Sequence, residues 1–162
     1  MTMLDPVIRA CALSDRGQPR AAFRVLLRAA RRGDAGAFVN LGFVYDTGTG
    51  VRPSKAKAMY WYRRAVKRGH SAGAHNIATI FRDRGATSRA KLWLRRAIAL
   101  GDSGSNILLG QILLAERDPQ SALACFGAVG SDACAADEEA ALAWKATAQS
   151  ALGAVGEERG HA

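Results

Sequence analysis

Apolar and small residues recur at positions i, i+3, i+4 and i+7 along this chain, which is the spacing of one face of an amphipathic helix. The pattern is found at Phe38, Leu41, Gly42 and Tyr45, and again at Ala58, Trp61, Tyr62 and Ala65. Gly42 opposite Ala58 would let two such helices approach closely, with Tyr45 and Tyr62 filling the space beside them. The pattern therefore predicts a pair of antiparallel helices.

The helix-pair pattern is repeated. Gly33, Gly69 and Gly101 each follow an Arg- or Ala-rich helical stretch, at intervals of 36 residues (33 to 69) and 32 residues (69 to 101). Alignment on these glycines superimposes small and aromatic residues, namely Ala58, Ala90 and Ala122, and Trp61 and Trp93. Such a pair covers its apolar face only when a neighbouring pair stacks on it, so the repeat predicts an all-α solenoid of antiparallel helix pairs.

The repeat also predicts the organisation of the chain, as a single helical-repeat domain over residues 1–153 with about nine helices. We expect an N-terminal capping pair at 4–33 and a C-terminal capping helix at 137–152. Three repeats lie between them, at 34–69, 70–101 and 102–130. Residues 154–162 are expected to form a flexible tail.

The net charge of +9 is distributed unevenly over the 162 residues. Residues 1–102 carry 20 Lys or Arg and 6 Asp or Glu, a net charge of +14, whereas residues 103–162 carry 3 and 8, a net charge of −5. A basic body of this kind is suited to an acidic protein or a nucleic acid, although a solvated helical surface would have the same composition. Charge alone leaves these readings open.

The sequence favours a cytoplasmic location without membrane contact. Charges at Asp5 and Arg9 interrupt the N-terminus before any hydrophobic segment develops, and no apolar run approaches the roughly 20 residues of a membrane span. Three widely spaced cysteines, Cys11, Cys125 and Cys134, are typical of free thiols in a reducing compartment.

Catalytic and metal-binding patterns are missing from the sequence. His70 and His75 lie five residues apart without a nearby cysteine, which argues against a zinc site. The Gly-rich loop before Val51 follows a helix and lacks a following Lys-Ser/Thr, so it is expected to be a turn instead of a phosphate-binding loop. No Ser, Cys or Thr has a recognisable nucleophile context. We therefore expect a non-enzymatic protein without a metal or cofactor.

The segment from Ala35 to Gly69 closely resembles the Sel1-like repeat, a branch of the tetratricopeptide-repeat superfamily. The resemblance rests on the pattern A-x4-N-L-G-x2-Y-x2-G-x-G-V-x2-S-x2-K-A-x2-W-Y-x2-A-V-x2-G, which includes the Gly-rich loop. Ser54 departs from the family, which usually has Asp at this position. The resemblance extends over roughly residues 20–130 and is strongest at 33–101.

The resemblance implies a superhelical scaffold that binds one partner protein stoichiometrically. Some bacterial members of the family accompany toxin or secretion genes, so it points to a bacterial immunity or antitoxin-like inhibitor, or an adaptor. The partner would be a toxin or a secretion-system component, with an acidic surface favoured. A regulatory subunit that also forms a weak homo-dimer is a further reading that the sequence does not separate from this one.

The family's geometry implies a concave face lined by the first helix of each pair. The residues expected on that face are Val39, Phe43, Asp46, His75, Thr79, Arg82, Ile107, Gln111 and Leu114. Phe43 lies off the packing stripe of its helix, so it is either an exposed aromatic of the kind enriched at binding hot spots or a contact to the next unit.

The second helices carry arginines at equivalent positions of the repeats. We call Arg28, Arg63, Arg64, Arg95 and Arg96 the basic ladder. The alternative function is a basic protein that binds nucleic acid through this ladder on its outer face. Trp61, Tyr62 and Trp93 are expected to be at least partly buried, so few aromatics remain to stack on bases, which makes nucleic acid the less favoured partner.

Overall fold

The computed structural model describes residues 5–130 and 135–159, which contain nine α-helices and no β-strand. The helices are α1 (Pro6–Asp15), α2 (Pro19–Arg31), α3 (Ala35–Thr47), α4 (Lys55–Lys67), α5 (Ser71–Asp83), α6 (Thr87–Ala99), α7 (Ser105–Ala115), α8 (Pro119–Gly127) and α9 (Ala135–Arg159). The predicted all-α repeat fold is confirmed.

Caps encoded in the sequence set the ends of the helices. The side chain of Asp34 accepts a hydrogen bond from the backbone N–H of Ala37 (2.9 Å) and so caps the N-terminus of α3. The glycines that mark the sequence repeat lie just beyond the ends of α2, α4 and α6, where Gly33, Gly69 and Gly101 have φ of 90°, 84° and 92°. The left-handed backbone conformation that follows the end of a helix favours glycine, which explains why the repeat can be aligned on these residues.

The chain divides into two compact units, Met1–Ile80 and Phe81–Ala162, whereas a single domain over 1–153 is expected from the sequence. The boundary falls within α5. A division of this kind is typical of repeat architecture, in which each helix packs against helices that are close to it along the chain.

The first unit is organised around α3. This helix packs against α4, α2 and α1, and its residues Phe38 and Leu41 are buried. A Cβ added to Gly42 would overlap the ring of Tyr62, so the small residue accommodates this aromatic ring. Tyr45, on the same helix, packs edge to face on Phe23 of α2, with ring centroids 5.6 Å apart.

The Gly-rich loop between α3 and α4 is a structural turn. Gly48 ends α3 with a φ of 80°, and Gly50 has a φ of 75°. A Cβ on Gly50 would lie 2.7 Å from the backbone carbonyl carbon of Pro19, so the loop rests directly on the first turn of α2. Both glycines of the G-x-G-V pattern are thus required by backbone geometry and close packing.

The second unit is organised around α7, which packs against α6, α8 and α9. Gly110 of α7 accommodates the ring of Phe126, and that ring stacks on Trp144 of α9 with centroids 6.2 Å apart. The C-terminal helix is longer than the predicted 137–152, since it begins at Ala135 and continues to Arg159. Extending an existing helix avoids the cost of nucleation, so Gly153 does not end it.

Candidate protein-binding surfaces

The nine residues predicted to line a concave face all belong to α3, α5 or α7, the first helices of their pairs. Phe43 and Arg82 are exposed, the other seven are half-buried, and none is fully buried. Phe43, Val39, Asp46, His75 and Thr79 belong to the first unit. Arg82 and the three residues of α7 (Ile107, Gln111 and Leu114) belong to the second.

Phe43 lies at a cavity of about 220 Å³ in the first unit, and 54% of its surface is exposed. The cavity is bounded mainly by α1 and α3, with one residue each from α2 and the Gly-rich loop. Its lining consists of Ala10, Cys11, Ser14, Asp15, Leu26, Asn40, Phe43, Val44 and Thr49. An exposed aromatic ring beside a recess is the arrangement that protein interfaces use to anchor a partner side chain.

The residues that α1 contributes to this cavity were not predicted from the sequence. Cys11 and Ser14 were assigned to a capping helix and therefore left out of the candidate surface. Because α1 is the first helix of its own pair, continuing the repeat register backwards from α3 would have indicated it. Cys11 is an exposed free thiol, and Cys125 is a half-buried free thiol; Cys134 lies outside the described residues.

Polar residues of the predicted face are engaged with close neighbours. The carboxylate of Asp46 forms a salt bridge with Lys55 (2.5 Å), which joins the end of α3 to the start of α4. Thr79 donates a hydrogen bond to the backbone carbonyl of His75 (3.2 Å). The guanidinium group of Arg82 donates two hydrogen bonds, of 3.1 and 2.9 Å, to the carboxylate of Asp83.

The basic ladder is uneven in exposure. Arg28, Arg63, Arg95 and Arg96 are exposed, whereas Arg64 is half-buried. The guanidinium group of Arg64 lies over the rings of Phe38, Trp61 and Tyr60, at 4.5, 5.2 and 5.9 Å from their centroids. Cation–π contacts of this kind hold Arg64 against the aromatic surface of its own unit, so it presents less charge to a ligand than its neighbours.

Burial changes the acidity of two groups in these units. It raises the pKa of the Tyr62 phenol well above its usual range, and the negative charge of Asp46 adds to the effect. Burial likewise raises the pKa of the Cys125 thiol. Both groups stay protonated near neutral pH, so the phenol fills the space at Gly42 without a charge.

Two further features bear on the class of protein. Across residues 5–130 and 135–159, no three His, Cys, Asp or Glu side chains are grouped so that they could hold a metal ion. None of the helices described is both long and apolar enough to cross a membrane.

Comparisons with known proteins agree with the repeat geometry. A family model described as Sel1 repeat matches residues 39–70 and 81–102. The fold is similar to that of a Sel1 repeat protein from Oxalobacter formigenes, with a TM-score of 0.67 and 22% sequence identity, over 90% of this chain and 72% of that one. No curated protein matches the sequence.

A second solved structure similar to this one is a protective antigen present in uropathogenic Escherichia coli strains, which displays an SLR fold. Its TM-score is 0.65 and its identity 22%, and the match covers 76% of this chain but 29% of that protein. Identities at this level establish a shared fold.

Proposed function

We propose that this chain, two segments of which match the Sel1 repeat model, is a non-enzymatic module that binds one partner protein stoichiometrically through the surface around Phe43. Sel1 repeats generally mediate protein–protein interaction. The finer role that we favour is inhibition, in the manner of an immunity or antitoxin-like protein of the bacterial cytoplasm. A rigid helical surface would then cover the partner and block it.

The observation that carries the proposal is the exposure of Phe43 beside a cavity. A phenylalanine side chain gains roughly 1.5–3 kcal/mol when it is fully removed from water, and 54% of this one is exposed in the folded chain. A partner that covers the exposed part of the ring and fills the cavity therefore recovers about half of this free energy. Since Phe43 is on a first helix, the site also lies where the repeat architecture presents its binding residues.

Charge supports an acidic partner. Residues 1–80, which form the first unit, carry 14 Lys or Arg against 4 Asp or Glu, a net charge of +10. A surface of this sign accelerates encounter with an acidic protein and discriminates against basic ones. The toxin or secretion-system component that we favour as partner should therefore have an acidic contact surface.

The test is capture of the partner on three immobilised proteins: the unmodified chain, Phe43→Ala and Tyr60→Ala. Tyr60 is a matched control because it is an aromatic residue of the same exposure, 55%, on the second helix α4. The lysate of the producing cells is treated with nuclease, and the resin is washed at low and high salt. We expect Phe43→Ala to lose at least nine-tenths of the captured partner and Tyr60→Ala to retain most of it.

Two outcomes would contradict this proposal. Equal recovery on both variants would exclude the Phe43 surface. Recovery of only nuclease-sensitive or salt-labile material would support the alternative, nucleic-acid binding through the basic ladder, because phosphate contacts weaken steeply with salt. The alternative is the weaker candidate, since Arg64 is already held against three aromatic rings.

A further inference from the structure

A second cavity in the first unit, of about 330 Å³, is lined by three arginines. Arg9 lies on α1 and Arg28 on α2, and Arg32 is the residue that caps the C-terminus of α2. All three are exposed. Arg28 belongs to the basic ladder, whereas Arg9 and Arg32 were not among the candidate residues predicted from the sequence.

In the described parts of the chain, no ion pair neutralises the charge of these three arginines. Within residues 5–130 and 135–159, none of the three guanidinium groups has a hydrogen-bond or ion-pair partner. The cavity contains one carboxylate, that of Asp34, which accepts a hydrogen bond from the backbone N–H of Ala37 at the start of α3. The lining therefore has a formal charge of +2, three arginines against one aspartate.

The rest of the wall is apolar. Pro6 is half-buried on α1. Val25 and Ala29 lie on the same face of α2 as Arg28, because residues at positions i, i+3 and i+4 share one face of a helix. The cavity thus combines an aliphatic floor with a rim of guanidinium groups. Guanidinium groups bind carboxylates in bidentate geometry, and an aliphatic floor gains free energy only from an apolar group that covers it.

We propose that this cavity binds an acidic side chain together with an adjacent aliphatic side chain on an extended segment of a partner protein. The volume is at the lower end of the roughly 300–1,000 Å³ of ligand sites, which suits one or two side chains. A phosphate backbone would satisfy the arginines but leave the aliphatic floor uncovered. The proposal rests on the proposed protein-binding function and adds a second anchor point to it.

The test is a titration of the full-length protein with the blocked peptide Ser-Gly-Leu-Glu-Glu-Leu-Gly-Ser, followed by amide chemical shifts in nuclear magnetic resonance spectra. Two control peptides replace both Glu by Gln or both Leu by Ser. The protein variants are Arg28→Glu and, as a control for charge, Arg24→Glu. Arg24 is an exposed arginine on the same helix that does not line the cavity, so both variants change the net charge equally.

We expect the acidic peptide to shift the resonances of Arg9, Val25 and Arg32, with at least tenfold weaker binding by either control peptide. Arg28→Glu should weaken binding at least tenfold, and Arg24→Glu less than threefold. Thermal unfolding of both variants verifies that they are folded; if Arg28→Glu is not, Arg9→Glu replaces it.

The proposal is overturned if no shifts occur at millimolar peptide, or if Arg24→Glu and Arg28→Glu weaken binding equally. It is also overturned if inorganic phosphate or a single-stranded oligonucleotide binds the arginines more tightly than the peptide, which would identify an anion site for nucleic acid. The peptide titration does not involve Phe43, so the capture experiment tests the Phe43 surface independently of this proposal.

Discussion

At the scale of single residues, glycines that face aromatic rings join the two helices of a repeat. Gly42 lies against the ring of Tyr62, and Gly110, its equivalent in the third repeat, lies against the ring of Phe126. Both rings are buried, at 1% and 0% exposure. A small residue on one helix and a large ring on the other form a complementary pair that recurs with the repeat.

Gly42→Ala should therefore destabilise the protein, although alanine favours helices. The added methyl group would overlap the Tyr62 ring, and overpacking of this kind costs about 1–3 kcal/mol. Gly153→Ala is the control with the opposite sign: no atom lies within 4 Å of its added Cβ, so the higher helix propensity of alanine should raise the free energy of unfolding by up to about 1 kcal/mol. Urea denaturation measures the free energy of unfolding of both variants. A neutral Gly42→Ala would contradict the packing described.

The small residues of the repeat were predictable from the sequence, but their partners were not. The i, i+3, i+4 spacing places Gly42 and Tyr62 on facing stripes, yet it does not fix how the second helix slides along the first. That offset decides which side chain of the second helix lies nearest to the glycine, and it depends on the shapes of all the packed side chains.

At the scale of helices, a residue with positive φ follows the first helix of the pair in four turns. Gly17, Gly48 and Gly85 have positive φ angles, of 71°, 80° and 71°, in the turns that follow α1, α3 and α5. The turn after α7 has Arg117 there, with a φ of 62°, and Arg117 is the one residue other than glycine with positive φ in the described parts of the chain. The third repeat thus retains the conformation without the residue that favours it.

Arg117→Gly should stabilise the protein. A left-handed conformation costs an ordinary residue about 1–2 kcal/mol, and glycine loses about 0.5–1 kcal/mol more entropy on folding than alanine, so the net gain should be about 0.5–1 kcal/mol. Arg84→Gly is the matched control, because Arg84 is an exposed arginine in the preceding repeat's turn without positive φ. It should be destabilising. Thermal denaturation compares the midpoints of both variants with that of the unmodified protein. A lower midpoint for Arg117→Gly would contradict the proposed backbone strain at Arg117.

Helix positions were largely predictable because caps and glycines are local signals. The segment predicted as the third repeat, 102–130, contains α7 (Ser105–Ala115) and α8 (Pro119–Gly127). The end of α9 was not predictable in the same way. Gly153 weakens a helix in isolation, but its cost is small against the favourable extension of a helix that is already formed.

At the scale of the whole molecule, the all-α repeat fold could be recognised from the sequence, whereas the candidate binding surfaces could be only partly indicated. The repeat register assigned Phe43 to a first helix, and the structure shows that its ring is exposed. The arginine cavity was not predicted from the sequence, since it depends on where α1 lies against α2 and no position of the repeat indicates that contact.

The most direct test of the central claim is photo-crosslinking in the producing cells. Phe43 and, as control, Tyr60 are replaced one at a time by p-benzoyl-phenylalanine, which reacts with groups in direct contact. We expect one dominant covalent adduct with a single protein from position 43 and little adduct from position 60. Equal adducts at both positions, or adducts at position 60 alone, would contradict binding through the Phe43 surface.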